Sequence, residues 1–395
     1  MGFASGAISF RRYAVIGKQP DVVDQDLLDR LADHALKERE LGIPEEEEYG
    51  WIGGRHILDG QFSFEHNVFA DSLFCGLRLD TNRVPSSLKN AYQIMEEDAV
   101  AKTNPSGFIS KQQKRTAKDT VRRKLEDELR TGRFRRSKML PMLWDVPNAT
   151  VYCSATGKSQ EKLLEIFERT FSLELQPLSS GSLALRGLET QGKRRDYEDL
   201  RPTRFVPGPE GEGQMPDYPW TFKGDGPKDF LGNEFLLWLW HELLHGNGEI
   251  ASEAGKSVAV MLDKSLDLDC AYGQTGRDSL RGDGACQMPE AMDALRSGKV
   301  PRKASMILND GGQYYFGFNA ESFAFSAMKL PEVEDAENDR VLFEERIGLL
   351  REGCKAIDAA YASFLKLRCA SGWESAAGKI RKWILTTTRP VAAVA

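Results

Sequence analysis

Residues 230–244, FLGNEFLLWLWHELL, are apolar on almost every side. A helix with one wet face repeats its apolar residues at a period near 3.6. This segment has no polar stripe of that kind, so it predicts a helix buried all round. Its fifteen residues fall short of the roughly 20 that a membrane-spanning helix needs. No other apolar run reaches about 18 residues, so no membrane span is expected and the burial must be inside protein. The chain is 395 residues long, with 41% apolar and 28% charged residues. That balance is ordinary for a soluble globular protein and leaves ample material for a core. The length exceeds what one core usually serves, so two or three domains are expected.

Composition suggests where they divide. Residues 186–228 are rich in Gly, Pro and charge, most densely at 207–227, which reads as a linker or an extended insertion. It separates an N-terminal α+β region, 1–185, from a C-terminal α+β region, 229–395. Strand patterns occur at Ser9–Ile16, Leu73–Leu79, Met139–Trp144, Ala149–Ala155, Leu173–Leu178, Ser257–Leu262 and Ala304–Asn309, and as a single run at Tyr314–Ala327. Helical patterns occur at Asp24–Leu41, after Pro85, at Ser159–Phe171 and Pro289–Ser297, over Arg340–Arg368 and from Trp373 to Trp383. Mixed antiparallel sheets with long helices follow, an α+β class. No internal repeat is visible. The six cysteines are scattered, with no Cys-x-x-Cys pair, which fits reduced thiols in a cytoplasmic protein. The first ten residues carry no secretory pattern, and Gly6 stands where a myristoylation signal needs Ser or Thr.

The charge is unevenly spread. Residues 111–138, KQQKRTAKDTVRRKLEDELRTGRFRRSK, hold twelve Lys or Arg against four acids, a local +8 in a chain of net −6. Concentrated positive potential in an otherwise acidic protein points to a polyanion bound at one surface. The spacing predicts a basic helix over 110–132, capped by Ser110 and stopped by Gly132. Ala117, Val121, Leu125 and Leu129 form its buried ridge, and Lys111, Arg115, Lys118 and Arg122 a cationic stripe beside it. Lys114 and Arg123 are further candidate phosphate contacts. Arg133, Phe134, Arg135 and Arg136 follow as a guanidinium-rich turn around one aromatic ring, a composition suited to phosphate contacts. Such a face would neutralise phosphates without reading bases. An acidic protein partner is the other reading of it.

Two further motifs carry chemistry. His241-Glu242-Leu243-Leu244-His245 matches H-E-x-x-H, which on a helix sets two imidazoles one turn apart with a carboxylate to act as base for a zinc-bound water. Glu249 or Glu253 would be the third ligand of such a hydrolase. Gly246 and Gly248 should end the helix at once, and the plainer reading is the polar C-terminal end of an apolar helix, where His suits the helix dipole. Val151–Ser159, VYCSATGKS, has a phosphate-loop layout but lacks the first glycine of that pattern. A helix cap at Thr156 or Ser159 explains it more simply.

Several blocks together resemble RdgC, the bacterial recombination-associated protein family. They are RLDTNRVPSSLKNA (Arg78–Ala91), the basic helix, RFRRSKMLPMLWD (Arg133–Asp145), the strand ATVYCSAT, KLLEIFERTF and LELQPLS, and later PEAMDALRSGKVPRKASMIL (Pro289–Leu308). The resemblance implies an α+β fold and a ring-shaped homodimer closed around double-stranded DNA, bound without sequence preference. It implies a cytoplasmic, nucleoid-associated protein that modulates recombination by competing with the RecA recombinase. It implies no enzyme activity and no cofactor, although the family is sometimes labelled a putative exonuclease; no clustered acidic metal ligands are visible in this sequence. Phe134 falls on the family's Arg/Phe turn, implicated in DNA engagement and ring closure. Where the family has a basic loop this chain has Arg281-Gly282-Asp283-Gly284, so Arg281 is what remains of a second DNA contact.

Overall fold

The computed structural model describes residues 2–37, 46–105, 107–206, 226–246, 249–251, 257–270, 276–333 and 336–386. The architecture is α+β, with antiparallel strand pairing and helices as long as Asp339–Arg368. No helix among the described residues is long and apolar enough to cross a membrane. The chain forms two compact units, and neither is a continuous stretch. One comprises Met1–Gln19, Leu143–Ser154 and Leu175–Ala395, the other Pro20–Met142 and Ala155–Glu174.

This division differs from the expected boundaries at 185 and 229. Residues 186–206 belong to the first unit, as the end of the helix Ser180–Thr190, the helix Arg194–Asp199 and a segment after it. Their charge misled composition, because a short exposed helix is polar on most sides. Tyr197, Leu200 and Phe205 are nevertheless buried, and the Tyr197 hydroxyl accepts the Lys228 N–H at 2.9 Å. Of the densest part of the expected linker, 207–227, residues 207–225 lie outside the described residues.

In the first unit the antiparallel strand order is Asp278–Arg281, Ser257–Cys270, Lys299–Asn309, Gln313–Asn319, Ala324–Lys329, Ile8–Ile16 and Thr150–Cys153. The single run expected at Tyr314–Ala327 is therefore a hairpin of two strands. Asn319 makes the turn: its Oδ1 accepts from the Ser322 N–H at 3.0 Å and from the Ser322 hydroxyl at 2.7 Å. Tyr314, Phe316 and Phe318 then point to one side of the first strand, with Phe325 on the second, and all are buried.

The helix Phe230–His245 lies in this core, as its composition requires. Every residue from Phe230 to His241 is buried. Phe235 meets the rings of Phe318, Phe323, Tyr361 and Phe364 at 5.2–6.5 Å between centroids. Gly232 lets the helix approach the hairpin turn, since a Cβ there would sit 1.9 Å from the Ala320 carbonyl oxygen. Two polar side chains are buried in the first two turns of this helix. Asn233 donates to the Pro301 carbonyl and to Glu321, each at 2.9 Å. Glu234, 2% exposed, accepts from Arg368 Nε and from the Thr203 N–H, both at 2.6 Å. Arg368 in turn lies 4.9 Å over the Trp373 ring.

The second unit holds the strands Glu47–Ile52, Val68–Phe69 and Ser72–Asn82, the helices Gln25–Asp33 and Lys158–Phe171, and a pair of long helices, Ser86–Thr103 and Lys111–Arg130. Trp51 is fully buried, and its indole N–H donates to Thr170 Oγ1 at 2.8 Å. The first helix is shorter than the expected Asp24–Leu41. It ends at Asp33 because the following backbone pairs with a strand instead: the Leu36 N–H donates to the Trp51 carbonyl at 3.0 Å and the Trp51 N–H to that of His34 at 3.2 Å. Residues 38–41 lie outside the described residues. At the lapsed phosphate loop Gly157, with φ +53°, takes the N-cap position ahead of the helix. The Ser159 hydroxyl serves Thr156 locally, accepting its N–H at 3.0 Å and donating to its carbonyl at 2.8 Å.

Replacing Arg368 by Met should cost about 3–5 kcal/mol, because it leaves a buried carboxylate without its cation. Urea denaturation measures this. Burial pushes the Glu234 carboxyl above its ordinary range, with Arg368 only partly opposing it. The stability contributed by the protonated form is therefore present at low pH and lost as pH rises through the folded-state value. The deficit of Arg368→Met should be smaller at pH 5 than at pH 8.

Candidate nucleic-acid interface

The helix Lys111–Arg130 is fixed at both ends. Ser110 and Gln113 form a capping box: Ser110 Oγ accepts the Gln113 N–H at 3.3 Å, and Gln113 Oε1 accepts the Ser110 N–H at 2.9 Å. The Gln113 amide also pairs with Asn104 at the end of the preceding helix, at 2.9 and 3.1 Å. At the other end Asn82 Nδ2 donates to the Leu129 carbonyl at 3.0 Å, and Gly132, with φ +70°, turns the chain. Ala117, Val121 and Leu125 are buried, as the ridge predicts, and Leu129 is half-buried.

Its charges sort by face. Glu128 accepts from the Tyr92 hydroxyl at 2.6 Å, and Lys124 lies 4.3 Å over the same ring. One of the helix's acids is thereby held against the neighbouring helix. Lys111, Lys114, Arg115, Lys118 and Arg123 are exposed, and no carboxylate among the described residues forms an ion pair with them; Arg123, nine residues from Lys114, lies on the opposite side of the helix. Arg122 meets Glu126 only at 3.5 Å, an exposed pair that contributes little. A helix of twenty residues is about 30 Å long, enough to follow several phosphates.

The turn after the helix is less uniform than its sequence. Arg133 is exposed, 3.8 Å from Glu128 and 6.0 Å from the half-buried Phe134 ring. Arg136 is exposed, and no ion pair to it exists among the described residues. Arg135 is different. Its guanidinium donates to Asp80 Oδ2 at 2.6 and 3.0 Å and lies 3.6 Å from Glu48. Asp80 is 3% exposed and is also gripped by Arg78 at 2.9 and 3.0 Å. Arg135 therefore braces the start of the strand Arg135–Asp145, and its charge is already answered. Alternation along the strand explains this, since Arg135 and Arg136 must point to opposite faces.

Arg281 belongs to the other unit. It is paired with Asp267 at 3.0 Å, an aspartate that Arg277 also holds. The sequence sets these residues far apart, and only the pairing of Asp278–Arg281 with Ser257–Cys270 brings them together.

At the H-E-x-x-H turn the imidazoles of His241 and His245 lie 4.7 Å apart, centroid to centroid, and both pack on Trp383 at 5.6 and 6.1 Å. His241 Nδ1 is 3.2 Å from Glu242 Oε1, and that contact holds Glu242 below the usual carboxylate range despite its partial burial. The helix ends at Gly246, as expected. Among the described residues no group of three or more His, Cys, Asp and Glu side chains is placed to hold a metal ion. Glu253 lies outside them, as does the side chain of Glu249.

The sequence reading missed a groove beside the basic helix. Its far wall is Lys89, Asn90 and Gln93 on the helix Ser86–Thr103, with Lys118 and Arg122 on the near wall. Nothing in the weakly amphipathic sequence of Ser86–Thr103 marks a binding face, because none of its residues is buried. Compared with known proteins, the chain matches no family model and no curated sequence.

Arg135→Ala should destabilise the protein by about 1–3 kcal/mol, the cost of removing a partner from a buried, hydrogen-bonded charge. Burial pushes Asp80 up, but hydrogen bonds from Arg78, Ser137 and Arg135 outweigh it and hold the carboxyl below its ordinary value. The stability carried by Asp80 is thus present above the unfolded carboxylate pKa and lost as pH falls through the folded one. Denaturation curves at pH 7 and at pH 3 should show the Arg135→Ala deficit shrinking in acid.

Proposed function

We propose that this protein binds double-stranded DNA without sequence preference, through the outer face of the helix Lys111–Arg130 and the turn that follows. The observation that carries this reading is the row of exposed cations Lys111, Lys114, Arg115 and Lys118, with Arg123 exposed on another side, none of which meets a carboxylate in an ion pair among the described residues. A solvated helix in an acidic protein would gain by interleaving acids along that row. Here Glu128 is instead drawn to Tyr92, and the outer face keeps its field. Arg122, Arg133 and Arg136 extend the row, with Phe134 beside it. Arg135 and Arg281 are left out of it, because Asp80 and Asp267 hold them.

The resemblance to RdgC supports the same reading and extends it. On that reading the protein acts as a homodimeric ring around duplex DNA, associated with the nucleoid, and limits the access of a RecA-type recombinase. It works by occupancy and needs neither catalysis nor a cofactor.

Binding to a duplex of a few tens of base pairs, followed by fluorescence anisotropy, tests the reading. Affinity should fall linearly on a log–log plot against salt, with each phosphate contact contributing about 0.9 to the slope. Changing Lys111, Lys114, Arg115 and Lys118 together to Gln should flatten the slope by about 3 to 4 and weaken unrelated sequences equally. Salt-independent binding, or selective loss for one sequence, would contradict phosphate-backbone recognition. Sedimentation in the presence of long linear and closed circular duplexes tests the ring, which should load on circles more slowly than on free ends.

A further inference from the structure

Beside the basic helix lies a groove of about 810 Å³, wholly within the second unit. Its floor is apolar, formed by Val84, Val121, Leu125 and Leu129. Lys118 and Arg122 stand on one wall, and both also belong to the phosphate-binding row; Lys89 faces them from the neighbouring helix. Amide side chains complete the lining. Asn90 is exposed, whereas Asn82, 5% exposed, spends its Nδ2 on the Leu129 carbonyl and keeps its Oδ1 buried. The acids of the groove are partly committed, Glu46 to Arg83 at 2.7 Å and Glu126 to Arg122 at 3.5 Å, while Asp119 forms no ion pair among the described residues.

We infer that this groove takes an unpaired nucleotide of the bound DNA, so that the protein prefers duplexes carrying a single-stranded tail to blunt ones. The inference rests on the DNA-binding reading and adds a second element to it. A base in a duplex has its faces stacked and its edge paired, so it offers nothing to an apolar floor. An unpaired base offers two apolar faces and an edge with N–H donors, and it arrives attached to a phosphate. The groove presents the complement of each: the Val84–Leu129 floor for a face, the exposed Asn90 amide for the edge, and Lys89, Lys118 and Arg122 for the phosphate. A purely apolar peptide would leave those cations unmatched. An acidic peptide would leave the floor unmatched along most of its length.

The test compares a blunt duplex with the same duplex bearing a five-nucleotide tail, using the full-length protein and its Asn90→Trp variant. Asn90 lies on the exposed groove wall, so an indole there fills the space without removing a cation or a buried residue. The wild-type protein should bind the tailed duplex roughly tenfold more tightly, the order expected for burying one face of a base on an aliphatic floor. Asn90→Trp should abolish that preference and leave blunt-duplex affinity and its salt slope unchanged. Gln93→Trp, on the same wall, should act alike if Asn90→Trp does not fold. Equal wild-type affinity for blunt and tailed duplexes would overturn the inference while leaving duplex binding standing. A preference that survives both tryptophans would place the unpaired base elsewhere and overturn it too. Loss of binding to both DNAs by the wild-type protein would instead remove the reading on which it rests.

Discussion

A carboxylate and a guanidinium, Glu234 and Arg368, meet in the core of the first unit, Glu234 on a helix buried from Phe230 to His241. Several stretches of the first unit are tied to that pair. Glu234 cannot be moved to water, because residues on both sides of it are buried, so its partners must come to it. Arg368 comes from the last turn of the helix Asp339–Arg368, and Thr203 from the segment leading out of the short helix Arg194–Asp199. Trp373 stacks on the guanidinium and donates its indole N–H to Thr203 Oγ1 at 3.0 Å. Four separate stretches are thus pinned at one point. Such a pair adds little net stability over an apolar substitute, since desolvation offsets most of the Coulombic gain. What it specifies is register, because any other seating of the helices strands a charge in the core.

The sequence read well where one physical requirement dominates. Phe230–His245 is buried because nothing in it tolerates water, and the basic helix is capped by Ser110 because Gln113 completes the box. It read poorly where long-range pairing decides. The first helix stops at Asp33 on account of Trp51, a strand partner that local periodicity cannot reveal. The polar character of 186–206 hid Tyr197, Leu200 and Phe205, each an isolated anchor among exposed neighbours. The two-unit division, with the chain passing repeatedly from one unit to the other, has no compositional mark at all.

The candidate site was legible as a charge pattern and not as a set of contacts. Periodicity placed Lys111, Arg115 and Lys118 outside and Ala117, Val121 and Leu125 inside, and that held. Whether a given arginine is free depends on acids elsewhere in the chain. Arg135 and Arg136 are adjacent and chemically identical, yet the pleat turns one toward Asp80 and the other toward solvent. The groove needed two helices side by side before Lys89 and Lys118 could face one space.

The strand Ile8–Ile16 sits between Ala324–Lys329 and Thr150–Cys153 in the sheet of the first unit. Its second neighbour is made early, while its first lies more than three hundred residues downstream. During synthesis the growing chain therefore carries a half-paired strand until residues 324–329 have left the ribosome. Phe10 and Ile8, destined for the core against Phe325 and Met328, stay without those partners for that time. Contacts of such sequence separation slow folding and leave a strand edge open to other chains. The basic helix, complete long before residues 324–329, gives that strand no cover in the meantime.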